Sequence, residues 1–99
     1  MNVNIQTVHF DADAKLIELV QKKIDKLPTF IERIVDVIVY LRLDNIAHNI
    51  KDKSVEIRVH VPRFDFFVKT TSKSFETAFE EAYDSLVNQI KRKKEKQLA

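Results

Sequence analysis

Residues 55–96 read VEIRVHVPRFDFFVKTTSKSFETAFEEAYDSLVNQIKRKKEK, and within this stretch the apolar period changes from two to between three and four. Val55, Ile57, Val59 and Val61 alternate with Glu56, Arg58 and His60, as in a strand with one face in water. Pro62 and Arg63 mark a turn. Phe66, Val68 and Thr70 then alternate with Phe67, Lys69 and Thr71 in a second strand. Ser74 is suited to cap a helix. After it, Phe75, Ala78, Phe79, Ala82, Tyr83, Leu86 and Ile90 share one helical face. The charge along this helix changes sign. Glu76, Glu80, Glu81 and Asp84 occupy its first half, and Lys91, Arg92, Lys93, Lys94 and Lys96 follow with only Glu95 among them.

Upstream, Val3 and Ile5 alternate with Asn2, Asn4 and Gln6 in a first strand, and the phase slips near Thr7. A helix follows to about Leu27, capped by Asp13 or alternatively Asp11, with Leu16, Leu19, Val20, Ile24 and Leu27 as its apolar stripe. Pro28 stops it. Ile34 to Leu43 is rich in β-branched residues and alternates. Val35, Val37, Val39, Leu41 and Leu43 make the better core face, opposite Ile34, Asp36, Ile38, Tyr40 and Arg42. Asp44 to Lys53 reads as a polar connection.

These elements define an α+β domain of order β-α-β-β-β-α, with a single four-stranded sheet and two roughly parallel helices on one face. A helix between the first two strands makes a right-handed crossover and leaves those strands parallel. The next two connections are short enough for antiparallel neighbours. Both helices therefore run the same way, which should bring Lys22, Lys23 and Lys26 towards residues 91–96. A helix of about 22 residues spans ~33 Å and a seven-residue strand ~23 Å, so the last turn or two should overhang the sheet.

Ninety-nine residues, 44% hydrophobic and 32% charged, fit one globular domain with a modest core. No apolar run approaches the ~20 residues of a membrane span, and no secretory leader is visible. The lack of cysteine removes disulfide and thiol chemistry and fits a cytoplasmic location. The lack of glycine removes the phosphate loops built on it, the KH-domain loop and the glycines of RRM motifs. The net charge is only +2, so a basic surface must come from placement.

The basic helix end has an ordinary explanation, since cations complement a helix C-terminus. Five cations in six positions exceed that need, because the dipole acts over about one turn. Joined by the first helix's lysines, they point to a polyanion, RNA first, with phosphate contacts and little base readout. A membrane surface fits less well, because the apolar face is needed for the core. His9, His48 and His60 lack ligand-like spacing, so neither a metal site nor a nucleophile–base pair is indicated. His48 and His60 could at most touch phosphate. The acidic residues read as caps and a solvated face, without a catalytic carboxylate pair. Tyr40 and Phe67 point to the open sheet face, where packing under side chains or loops is favoured over base stacking.

The chain resembles the short-form ribosome hibernation promoting factors of the ribosome-associated translation inhibitor family. The resemblance runs from Met1-Asn2-Val3-Asn4-Ile5 through the Asp13 cap, Lys23-Ile24-Asp25-Lys26-Leu27 and Phe30-Ile31-Glu32-Arg33-Ile34. It is densest at Phe75-Glu76-Thr77-Ala78-Phe79 and from Leu86-Val87-Asn88-Gln89-Ile90 into the lysine-rich end. Four positions depart from the family pattern. Glu76 replaces a tyrosine, Phe79-Glu80 replaces Ile-Asp, and Asn88 replaces the arginine before the glutamine, which moves basicity one turn later.

The resemblance implies a fold like a double-stranded-RNA-binding domain with an extra strand. It implies binding to small-subunit rRNA at the decoding region, blocking mRNA and tRNA sterically, in the stress and stationary-phase setting of ribosome hibernation. Carried over by position, the RNA-binding residues would be Lys22, Lys23, Lys26, Lys91, Arg92, Lys93 and Lys94. Residues 1–99 would be a single ribosome-binding domain, with 91–99 its basic helix end. The expected protein is a cytoplasmic monomer when free, with no enzymatic activity, cofactor, metal, membrane or small-molecule substrate. Without the extra C-terminal domain of long-form members, it is not expected to dimerise ribosomes itself. A generic double-stranded-RNA binder, or a protein-interaction module using Tyr40, Arg58, His60 and Phe67, stays open as the alternative.

Overall fold

The computed structural model describes residues 1–46 and 50–98. Its elements are β1 (Asn2–Val8), α1 (Ala14–Ile24), one 3-10 turn (Leu27–Thr29), β2 (Asp36–Ile46), β3 (Ile50–Val61), β4 (Phe64–Ser72) and α2 (Phe75–Leu98). The α+β class and the β-α-β-β-β-α order are those read from the sequence. The sheet keeps sequence order, β1-β2-β3-β4. β1 and β2 are parallel, and the other two pairs are antiparallel.

The alternating apolar residues set which face the helices cover. Val37, Val39, Leu41, Val55, Ile57 and Val59 are fully buried on one side of the sheet. Val20, Ile24 and Leu27 from the α1 side, and Ala78, Phe79, Ala82, Leu86 and Ile90 from α2, are fully buried with them in one core. Leu19 is half-buried, whereas Val87 joins the core. The starts of the helices are joined by Phe10 and Phe75, whose rings stack at 4.4 Å.

Caps fix where the helices begin. The Leu16 amide donates to Asp13 Oδ1 at 2.8 Å, so Asp13 rather than Asp11 is the α1 cap. The Thr77 amide donates to Ser74 Oγ at 3.0 Å. Each such bond satisfies one otherwise unpaired amide of the first turn.

Three boundaries differ from expectation. The α1 helix ends at Ile24, not near Leu27, because the Lys26 amide bonds to the Lys23 carbonyl and tightens the chain into the 3-10 turn that contains Pro28. Val35 is 45% exposed rather than core, because it precedes the first paired residue of β2. The expected polar connection at residues 44–53 is largely ladder, with Asp44 opposite Asp52, Asn45 opposite Lys51 and Ile46 opposite Ile50. Polar residues are accepted there because backbone groups make the ladder. Ser54 adds side-chain bonds, donating to Asp44 Oδ2 at 3.0 Å and lying 3.2 Å from Thr71 Oγ1.

The chain makes its left-handed turns without glycine. His9, Arg33 and Arg63 have φ of 68°, 63° and 70°. Each carries a Cβ into a region where it is disfavoured by about 1–2 kcal/mol. Pro62 followed by positive φ at Arg63 is the pattern of a type II turn, whose third position ordinarily holds glycine or asparagine.

Candidate nucleic-acid interface

Strand directions decide which loops meet. Asp36 at the start of β2 pairs with His60 near the end of β3, and Val61 pairs with Phe64 across the β3–β4 turn. These points share one end of the sheet. The two helices run back from the opposite end, so α1 and α2 both finish here. Lysines from both helix ends, the α1–β2 connection and the β3–β4 turn therefore surround one end of the domain.

The tail of α2 projects from it. Ile90 is fully buried, whereas Lys91, Arg92, Lys94, Glu95 and Lys96 are exposed and Lys93 is half-buried. Residues 91–98 add roughly 12 Å of helix. Successive helical residues are about 100° apart, so the cations at 91–94 surround the axis instead of sharing one face. Lys91 Nζ lies 5.9 Å from the centre of the Phe30 ring, and Lys93 Nζ lies 4.1 Å from that of Phe64. Arg92 points away from the side that buries Ile90.

Lys22 and Lys26 are exposed, and half-buried Lys23 places Nζ 5.3 Å from the Tyr83 ring. Tyr83 precedes Lys91 by roughly 12 Å along α2. The expected residues thus share an end of the domain but occupy different sides of it. Lys23 and Lys91 lie towards α1 and the chain leaving it, while Lys93 lies towards the β3–β4 turn. Rings beneath Lys23, Lys91 and Lys93 hold their ammonium groups by cation–π attraction. None of the seven cations forms an ion pair among the described residues.

The same end contains a cleft of about 840 Å³. Arg33, Arg63, Lys93 and Lys94 line it with one acid, Glu32, and Ile31, Pro62 and Phe64 contribute apolar surface. Sequence reading passes over Arg33 and Arg63 as binding residues because each is isolated among uncharged or acidic neighbours. Their signal is positional, since the topology sends both the α1–β2 connection and the β3–β4 turn to the basic end.

On the open sheet face, Arg58 covers Phe67 with its guanidinium carbon 5.0 Å from the ring centre. Glu56 pairs with both Arg42 and Lys69 at 3.7 Å. The His60 ring hydrogen-bonds to Asp65, which raises its pKa; desolvation opposes this, and the charges of Asp65 and then Asp36 add smaller raising effects. Tyr40 is half-buried and His9 exposed, and His48 lies outside the described residues. Among the described residues, no helix is long and apolar enough to cross a membrane and no side-chain group is arranged to hold a metal ion.

At the departures from the family pattern, Asn88 is exposed, whereas Gln89 donates from Nε2 to the Phe67 carbonyl at 3.3 Å and ties α2 to β4. Residues 3–98 match the family described as sigma 54 modulation protein / S30EA ribosomal protein. The chain belongs to that family, in agreement with the resemblance to hibernation factors drawn from its residues. The fold is similar to a ribosomal subunit interface protein from Coxiella burnetii, with TM-score 0.82 and 17% identity over 95% of this chain and 98% of that one. It is also similar to the N-terminal domain of Protein Y from Thermus thermophilus, with TM-score 0.72 and 22% identity over 93% of this chain and 98% of that one. No curated protein sequence matches the chain.

Proposed function

We propose that this protein is a non-enzymatic ribosome-binding factor. It docks the lysine-rich ends of α1 and α2 on small-subunit rRNA at the decoding region and sterically blocks mRNA and tRNA. The reading includes a cytoplasmic location, a monomeric free state and a role in idle ribosomes under stress or in stationary phase. The carrying observation is the parallel placement of two helices whose cationic ends finish together, with the α2 tail projecting beyond its last fully buried residue, Ile90. Family membership and a similar fold in a ribosomal subunit interface protein support the ribosome as the partner.

Phosphates would be met by Lys22, Lys23, Lys26, Lys91, Arg92, Lys93 and Lys94. Each neutralised phosphate releases counterions, so affinity should fall steeply with salt. Co-sedimentation with small subunits and whole ribosomes at two salt concentrations tests this. Binding at low salt and steep loss at high salt is the expected result. No binding at low salt overturns the proposal, and salt-insensitive binding overturns its electrostatic part. Charge reversal at Lys91, Arg92, Lys93 and Lys94 should abolish ribosome binding, whereas binding through the open sheet face would survive it.

A further inference from the structure

We infer that the cleft bounded by Arg33, Arg63, Lys93 and Lys94 is a second RNA contact, one that grips the phosphodiester backbone of a single-stranded segment. The inference rests on the reading of the basic end as an RNA contact, and it adds two residues and a strandedness that reading does not contain.

Two independent observations converge on the cleft. The first is conformational. Arg33 and Arg63 hold left-handed backbone positions, at φ of 63° and 70°, where glycine or asparagine would be less strained. They come from different loops, yet both line this cleft. His9 shares the left-handed backbone at the other end of the sheet, so the distinguishing observation is that two such positions from separate loops bring the same cationic side chain to one cavity. The second is electrostatic. Four cations face one carboxylate, Glu32, and none of the four is neutralised by an ion pair among the described residues. The Phe64 ring restrains Lys93 by cation–π attraction.

Shape selects the ligand. A volume of about 840 Å³ lies within the roughly 300–1,000 Å³ of small-ligand pockets. A recess of that size can receive the backbone of an unpaired nucleotide, whereas a duplex presents a broad convex surface to it. A cationic groove beside aromatic side chains is also the usual arrangement for single-stranded nucleic acid. Arginine suits the task because its planar fork can hold two phosphate oxygens together.

The experiment compares the full chain with the double variants Arg33→Gly/Arg63→Gly and Arg33→Asn/Arg63→Asn. Both replacement residues accept the left-handed backbone, so the melting temperature should stay unchanged or rise. Binding of a short oligouridylate, a duplex of equal length and small subunits is measured across a salt series. The wild type should prefer the single strand to the duplex. Both variants should bind it at least tenfold more weakly at low salt, with a log–log salt slope shallower by about 1.4, as for two lost single-strand phosphate contacts. Arg33→Lys/Arg63→Lys should recover part of the affinity.

Unchanged oligouridylate binding in folded variants, equal wild-type affinity for duplex and single strand, or no wild-type binding to oligouridylate overturns the inference. If the wild type binds subunits while the variants bind oligouridylate as well as it does, the inference alone fails. Arginine-dependent oligouridylate binding by a chain that ignores subunits overturns the ribosomal reading and leaves the cleft's assignment standing.

Discussion

Lys93 places its ammonium nitrogen 4.1 Å from the centre of the Phe64 ring, joining the tail of α2 to the first residue of β4. Phe64 also meets Phe66 edge-on at 4.8 Å and remains 40% exposed. A partly exposed cation–π contact contributes about 0.5–1 kcal/mol. A double-mutant cycle with Lys93→Met and Phe64→Leu should return a coupling of that size by urea unfolding. Additive effects would show that the contact contributes nothing to stability.

Tyr83 buries its hydroxyl without a hydrogen-bond partner among the described residues. Burial and then the Asp84 charge push its pKa above the ordinary 10. An unsatisfied buried hydroxyl is destabilising, so Tyr83→Phe should raise stability by about 1 kcal/mol. Denaturant unfolding checks this, and a loss of stability would mean that the hydroxyl has found a partner in solution.

The His60–Asp65 pair gives a pH dependence of definite sign. Hydrogen bonding to Asp65 holds the folded-state pKa of His60 above 6.5. Its contribution is fully present below the unfolded-state value and is lost as pH rises through the raised folded value. NMR titration should find His60 titrating above an ordinary histidine, and Asp65→Asn should lower its pKa. An unchanged pKa in that variant would exclude Asp65 as the cause.

Ser74 satisfies the Thr77 amide at the start of the helix that carries the basic tail. Ser74→Ala should destabilise the domain by about 1 kcal/mol, whereas Ser74→Asp should largely preserve the cap. Thermal unfolding of the two variants distinguishes a cap from a general sensitivity at this position.

Phe79 fills the centre of the core and is fully buried. Phe79→Ala should destabilise by about 3–5 kcal/mol, a large part of the roughly 5–15 kcal/mol total of a typical domain. Loss of the cooperative melting transition, or a strongly reduced midpoint, is the expected outcome. An unchanged midpoint would contradict the packing described.

The alternation at residues 55–61 and 66–71, the α2 apolar stripe and both helix caps were legible because they depend on neighbours a few residues apart. The extension of the β2–β3 hairpin was not. Its ladder joins Asp44 to Asp52 and Asn45 to Lys51 through backbone groups whose pairing leaves no apolar pattern. The early end of α1 was likewise hidden, since Leu27 stays in the apolar stripe and fully buried after the helix has ended.

The basic run at residues 91–96 is a property of the chain itself, visible because its charges are consecutive. Even the common direction of the helices follows from element order and crossover handedness. Which way each cation points required folding. Lys91 reaches Phe30, Lys93 reaches Phe64, and Arg33 and Arg63 enter one cleft with Lys93 and Lys94. Helical rotation divides adjacent residues among different surroundings, and two loops distant in sequence are brought together by the strand pairing that closes that end of the sheet.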